Sequence, residues 1–281
     1  MNPTITRVSA VAAAVLIASA ITACSKGGDR SDDTTVRPDE TTPEVTSHQP
    51  TSEDTTPEPI STPEETTKEP VDPPAPYDYG NPVPESEKKG RDWFDDAIFI
   101  GDSRTDGFIM FEGLSNAGDY AYTSLNVSTV FTKQIVEKSD GSMITVIDSV
   151  RENSGWKKVY IMFGINELGW PSVSGFVNKY AELVRTLRDI NPEAEIYVQS
   201  ILPLGAKAND VSGYCNNFNV ERFNEALKQM TEEEKVYYVN VAESMTDENG
   251  CLPDGAAADG IHPGRQYCGI WLDYLLTHTV G

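Results

Sequence analysis

Histidine is the scarcest residue of this chain: among 281 positions only His48, His262 and His278 carry it. That excludes a histidine-rich metal centre and leaves few options for a general base. Cysteine is nearly as rare. Cys24, Cys215, Cys251 and Cys268 include no pair with the close spacing of zinc ligands, so no metal is expected. Basic residues are outnumbered, 22 against 44 acids, giving a net charge of −22. About half of that charge falls on residues 89–281, and so acidic a surface argues against nucleic acid and anionic lipid as partners. No phosphate-cradling glycine loop or dinucleotide fingerprint occurs, so no cofactor is expected. The long apolar run at residues 8–23 is too short for a comfortable membrane span, and no stop-transfer pattern follows it.

That run follows Arg7 and ends in Ile21-Thr22-Ala23-Cys24. A small residue before a cysteine at the end of an apolar run resembles a lipobox, the processing site of bacterial lipoproteins. The resemblance implies a signal peptide at 1–23 and a lipid on Cys24. It places the protein on the extracellular face of a bacterial cell membrane, touching the membrane only through that anchor. An ordinary signal peptide cut after Ala18-Ser19-Ala20 is the alternative.

Residues 24–88 are dominated by Thr, Pro, Glu, Asp and Ser, with 16 acids against 5 bases. Such a segment buries too little apolar surface to offset its ordering entropy, so it is expected to be a disordered linker. Extended as polyproline II, it would reach roughly 200 Å, at about 3.1 Å per residue. Residues 89–281 are of a length that suits one domain with a sizeable core, expected to act as a monomer. Export permits a disulfide among Cys215, Cys251 and Cys268. A Cys251–Cys268 bond would bracket the His262 segment, and free buried thiols are the alternative.

Within 89–281 strand and helix patterns alternate. Short apolar runs predict strands at Ala97–Gly101, 159–163, 195–201 and 236–241, with a weaker one at 120–123. Apolar residues at helical spacing predict helices over 142–153, 173–189, 218–233 and Arg265–Thr277. Strands joined through single helices pair in parallel by right-handed crossovers. The expected fold class is α/β, a three-layer α/β/α sandwich on a mostly parallel sheet, with its site beyond the carboxyl ends of the strands.

Three segments fall at those ends. Ser103, in Gly101-Asp102-Ser103, follows the first strand at a helix start, where its N–H is free to face an oxyanion. A simple helix cap is the other reading. Asn166, in Gly164-Ile165-Asn166-Glu167, follows the 159–163 strand, where its amide could serve the same oxyanion or bond its own backbone. Asp259 stands three residues before His262, a spacing that lets the carboxylate hold Nδ1 and leaves Nε2 to deprotonate Ser103. The alternative is a turn with a solvent-facing histidine.

In this order the segments GDSRT, GINE and DGIH resemble the first, third and fifth blocks of the SGNH, or GDSL, hydrolase family. The resemblance spans roughly residues 97–271. It implies a flavodoxin-like sheet, with Ser103 as nucleophile, His262 as base and Asp259 as its partner. Ser103 N–H and Asn166 become oxyanion donors. The family's second block supplies a further donor from a glycine, but 122–127 contains none. Ser124 stands at the matching position, with Gly118 as the other option. Arg104 and Trp170 are further candidates, for binding substrate. The expected function is a cell-surface serine esterase acting on small acyl esters, acetyl above all, on a small molecule or polysaccharide. The alternatives are an O-acyltransferase acting on cell-wall or surface glycan, and a non-catalytic carbohydrate-binding lipoprotein.

Overall fold

The structure, a computed structural model, describes residues 77–281. The signal segment, Cys24 and most of the acidic stretch lie outside the described residues. Seven strands are present among those described: β1 (Ala97–Gly101), β2 (Gly118–Ala121), β3 (Gln134–Glu137), β4 (Met143–Thr145), β5 (Lys158–Met162), β6 (Glu195–Gln199) and β7 (Tyr237–Val239). The α-helices are α1 (Ser103–Glu112), α2 (Val146–Glu152), α3 (Val173–Ile190), α4 (Asn217–Glu234) and α5 (Arg265–Thr277).

Five strands form one sheet in the order β2-β1-β5-β6-β7, every neighbouring pair parallel. A parallel sheet must be covered on both faces, and β1 and β5 are buried at every position. Side chains alternate between the two layers. Ile98, Ile100, Val159 and Ile161 pack with the apolar faces of α2, α3 and α4. Phe99, Tyr160 and Met162 pack with those of α1 and α5. On this second side, Phe99, Tyr160 and Tyr197 stack across three strands, with ring centroids 5.1 and 4.7 Å apart. The sheet order reverses beside β1, between β2 and β5, and in open α/β sheets ligands bind beyond the carboxyl ends of the strands at such a switch point.

Two expectations are corrected. The helix expected over 142–153 begins only at Val146, because Met143–Thr145 is strand β4, paired antiparallel with β3. A turn joining Lys138 to Ser142 folds this hairpin, and Thr145 then caps α2 by accepting the Asp148 N–H at 3.1 Å. Secondly, the domain starts before residue 89. Val83 is 2% exposed in the core, and its N–H donates to the Tyr238 carbonyl at 2.8 Å. Tyr77 and Tyr79 pack on Tyr237. These few apolar residues sit among prolines and acids, which hide them in the composition. Of the two readings left open for the cysteines, free thiols hold: Cys215, Cys251 and Cys268 form no disulfide. The Cys268 Sγ instead faces the Pro263 carbonyl at 3.5 Å, and burial pushes its thiol up to about 12.

Candidate active site

Gly101 ends β1 where nothing larger fits. A Cβ there would stand 2.2 Å from Thr105 Oγ1 and 2.8 Å from the Met162 carbonyl oxygen. The next residue, Asp102, caps α1 by accepting the Arg104 N–H at 2.9 Å. Burial pushes the Asp102 carboxyl up to about 6, against the pull of that N–H and of the Arg104 and His262 charges. Ser103 is therefore the first helical residue, and its N–H meets no protein acceptor among the described residues.

The Ser103 Oγ lies 2.9 Å from His262 Nε2. His262 Nδ1 lies 2.5 Å from Asp259 Oδ2. The other Asp259 oxygen accepts the N–H groups of Ile261 and His262, each at 2.8 Å. Burial raises the Asp259 pKa, but the His262 ring and these two N–H groups outweigh it and hold the carboxyl well below the usual range. Asp259 is thus an anion across the working pH range, and it orients the imidazole with its proton on Nδ1. The loop bearing both residues is pinned. Ala257 and Pro263 form a bridge, Gly205 N–H donates to the Gly260 carbonyl at 2.8 Å, and Lys207 Nζ donates to the Ala258 carbonyl.

Asn166 follows β5 on a turn that Gly164 makes possible. Gly164 has φ +145°, and a Cβ on it would meet Ile201 Cδ1 at 2.1 Å. Asn166 Nδ2 donates to the Leu125 carbonyl at 2.9 Å and keeps a second hydrogen. Ser124 has φ +64°, a left-handed backbone conformation that favours glycine. Its N–H finds no protein acceptor among the described residues, and Tyr122 N–H ties the loop to the Gly101 carbonyl at 3.2 Å. The backbone at Ser124 is therefore shaped as for a glycine, although the residue is serine. Gly118, the other option, lies within β2.

Arg104 is placed otherwise than expected. It is 2% exposed, and its guanidinium donates to the carbonyls of Leu202 and Pro203 at 2.7 and 3.4 Å. Burial brings its pKa down to about 10. Arg104 thereby ties the start of α1 to the loop after β6. Trp170 is half-buried and packs against the α3 side of the core.

One residue went unnoticed in the sequence. Glu167 is 0% exposed and accepts the Val127 N–H at 2.7 Å. Its signal was an acid directly following Asn166 at the end of a fully buried strand. Burial, with the Asp102 charge adding to it, pushes its carboxyl up to about 8, against the Val127 N–H. An acid raised in this way keeps its proton in the fold where the unfolded chain has lost it. The associated stability is fully present below the ordinary value of 4.5 and is lost as pH rises through about 8. Thermal melts from pH 4 to pH 9 should therefore show Glu167→Gln gaining on the wild type as pH rises, with little difference at pH 4. A gap that does not change with pH would contradict a buried, proton-holding Glu167.

Among the described residues no group of three His, Cys, Asp or Glu side chains could hold a metal ion. The model of the GDSL-like Lipase/Acylhydrolase family matches residues 99–266, from within β1 to the start of α5. No curated protein matches the chain. Solved structures resemble the fold at low identity. A Bacteroides fragilis protein assigned as an acylhydrolase is 15% identical with a TM-score of 0.50, covering 69% of this chain and 88% of that one. A Desulfitobacterium hafniense protein assigned to the G-D-S-L lipolytic family is 13% identical with a TM-score of 0.50, covering 65% and 98%. A Streptococcus pneumonia protein described as a platelet activating factor is 19% identical with a TM-score of 0.49, covering 64% and 83%. The family match takes in Ser103, Ser124, Asn166, Asp259 and His262 and runs over well more than half the sequence, so the chain belongs to the GDSL-like lipase/acylhydrolase family, the SGNH hydrolases.

Proposed function

We propose that the protein is a serine esterase that removes small acyl groups, acetyl above all, from carbohydrate. The observation that carries this reading is the continuous chain Ser103–His262–Asp259, with contacts of 2.9 and 2.5 Å. His262 Nε2, free of its proton, takes the Ser103 hydroxyl proton as Oγ attacks the ester carbonyl. The resulting oxyanion is met by the N–H groups of Ser103 and Ser124 and by the spare Asn166 hydrogen. His262 then protonates the departing alcohol, and the ester bond to Ser103 replaces the original one. Water, deprotonated by His262, attacks this acyl-enzyme, and the acid and free Ser103 are released.

Small acyl groups are favoured because the site is open. The His262 and Asp259 side chains are 46% and 51% exposed, which suits an ester on a bulky hydrophilic carrier better than a long acyl chain needing an apolar tunnel. The same openness gives water ready access and favours hydrolysis over transfer to a second sugar. A lipid on Cys24 and the acidic stretch after it would hold such an enzyme away from the membrane, facing extracellular polysaccharide.

Acetate release from acetylated sugars and wall fragments by the full chain, set against Ser103→Ala, tests the proposal. Release by wild type only is the expected result, and equal release by both would remove Ser103 from the mechanism. Asn166→Ala is expected to lower kcat about 100- to 1000-fold with KM little changed. An unchanged kcat would mean that its amide serves only the Leu125 carbonyl.

A further inference from the structure

The 122–127 loop is tied at both ends. At its start the Tyr122 N–H donates to the carbonyl of Gly101, two residues before Ser103. At its end two consecutive side chains grip it: Asn166 Nδ2 donates to the Leu125 carbonyl, and Glu167 Oε1 accepts the Val127 N–H at 2.7 Å. Between the ties lies Ser124, held left-handed. Glu167 itself reaches no solvent, and its Oε2 has no hydrogen-bond partner among the described residues. Burying the acid costs stability, and its bond to the Val127 N–H offsets part of that cost.

We infer that Glu167 is a positioning residue for the reaction proposed above: by holding Val127 it fixes the loop that aims the Ser124 N–H at the developing oxyanion. The inference rests on the reading of Ser103 as nucleophile. Its chemistry follows from burial. With its proton kept to about pH 8, Glu167 accepts from Val127 without placing a negative charge beside the oxyanion. The titratable groups that act with it are Asp102, in the turn after β1, and Tyr180, on α3, whose own hydroxyl is held protonated chiefly by burial. Above about pH 8 the Glu167 charge would oppose charge building on the substrate oxygen.

Glu167→Ala and Glu167→Gln separate this role from mere packing. Two measurements are made on the full chain: hydrogen exchange at the Val127 amide without substrate, and kcat and KM on p-nitrophenyl acetate across pH. In the alanine variant Val127 should lose protection, and kcat should fall about 100-fold with KM nearly constant, the effect of a small misplacement of a catalytic donor. Glutamine, whose amide oxygen can accept the same N–H, should restore both near pH 7. Wild-type kcat should decline as pH rises through about 8, and the glutamine variant should show no such decline. Full protection or wild-type kcat in the alanine variant overturns the proposal, as does a decline above pH 8 that glutamine leaves in place. If the alanine variant does not fold, the glutamine pH profile decides. Wild-type protein that turns over no ester overturns the reading of Ser103, while exchange at Val127 still decides the tether.

Discussion

Alanine at His262 is expected to lower kcat for ester hydrolysis by about 10⁶-fold, and alanine at Ser103 and His262 together by no more than that. In the proposed mechanism the two act as one unit, since a serine hydroxyl is a weak nucleophile until a base, here Nε2 at 2.9 Å, accepts its proton. Asp259→Asn should do less harm, about 10⁴-fold, because an amide can occupy the same place but stabilises the wrong imidazole tautomer. Thermal stability should barely move in the Ser103 and His262 variants and fall only modestly in Asp259→Asn, whose carboxylate also holds two loop N–H groups. The His262 and Asp259 side chains are about half exposed, and substitutions at such positions seldom matter to the fold. Initial rates on p-nitrophenyl acetate, with melting curves on the same samples, check both halves. Loss of activity accompanied by an equally large loss of stability would mean that His262 is structural. Multiplicative losses in the double variant would mean that the two residues act independently.

Trp271→Ala is expected to destabilise the domain by about 4 kcal/mol, within the range for emptying a buried aromatic site. Trp271 is 0% exposed, stacks on Phe108 with ring centroids 4.4 Å apart, and donates from Nε1 to Gln199 Oε1 at 2.7 Å. Truncation opens a cavity and also orphans a buried oxygen on Gln199, whose amide nitrogen already has no partner among the described residues. At about 2–4 °C per kcal/mol for a domain of this size, Tm should fall by roughly 10 °C. Trp271→Phe keeps the stack but not the hydrogen bond and should fall in between. A melting point within a degree or two of wild type for the alanine variant would contradict this account. The site feels the same contact. Phe108 lies on α1, which begins at Ser103, and Trp271 lies on α5, which begins three residues after His262. The Phe108–Trp271 stack therefore couples the two elements that bring Ser103 and His262 together.

The sheet was legible because its strands are short apolar runs rich in β-branched and aromatic residues, buried on both faces and ended by glycine or polar turns. β5 and β6 show this most clearly. The β3–β4 hairpin was not legible, because a three-residue strand running straight into a helix carries the apolar spacing of that helix. The packing of Val83 and the nearby tyrosines was hidden by the acids and prolines around them. In both places a few long-range contacts outweigh the local composition. Ser103, Asn166, Asp259 and His262 could be picked out as residues, each beyond a strand, while the separation of Ser103 from His262 along the chain left their meeting to the fold.

By itself the sequence determined the parallel α/β order, the scarcity of bases that singles out His262, and the chemical types available at the sheet's carboxyl edge. These are local matters of periodicity, turn chemistry and residue inventory. Only the tertiary structure decided that Arg104 is spent on two buried carbonyls, that Ser124 takes a glycine-like conformation, and that Glu167 accepts the Val127 N–H at the end of the loop carrying Ser124. Those outcomes depend on burial and on hydrogen-bond partners tens of residues away, which set whether a polar side chain faces substrate or the protein's own backbone.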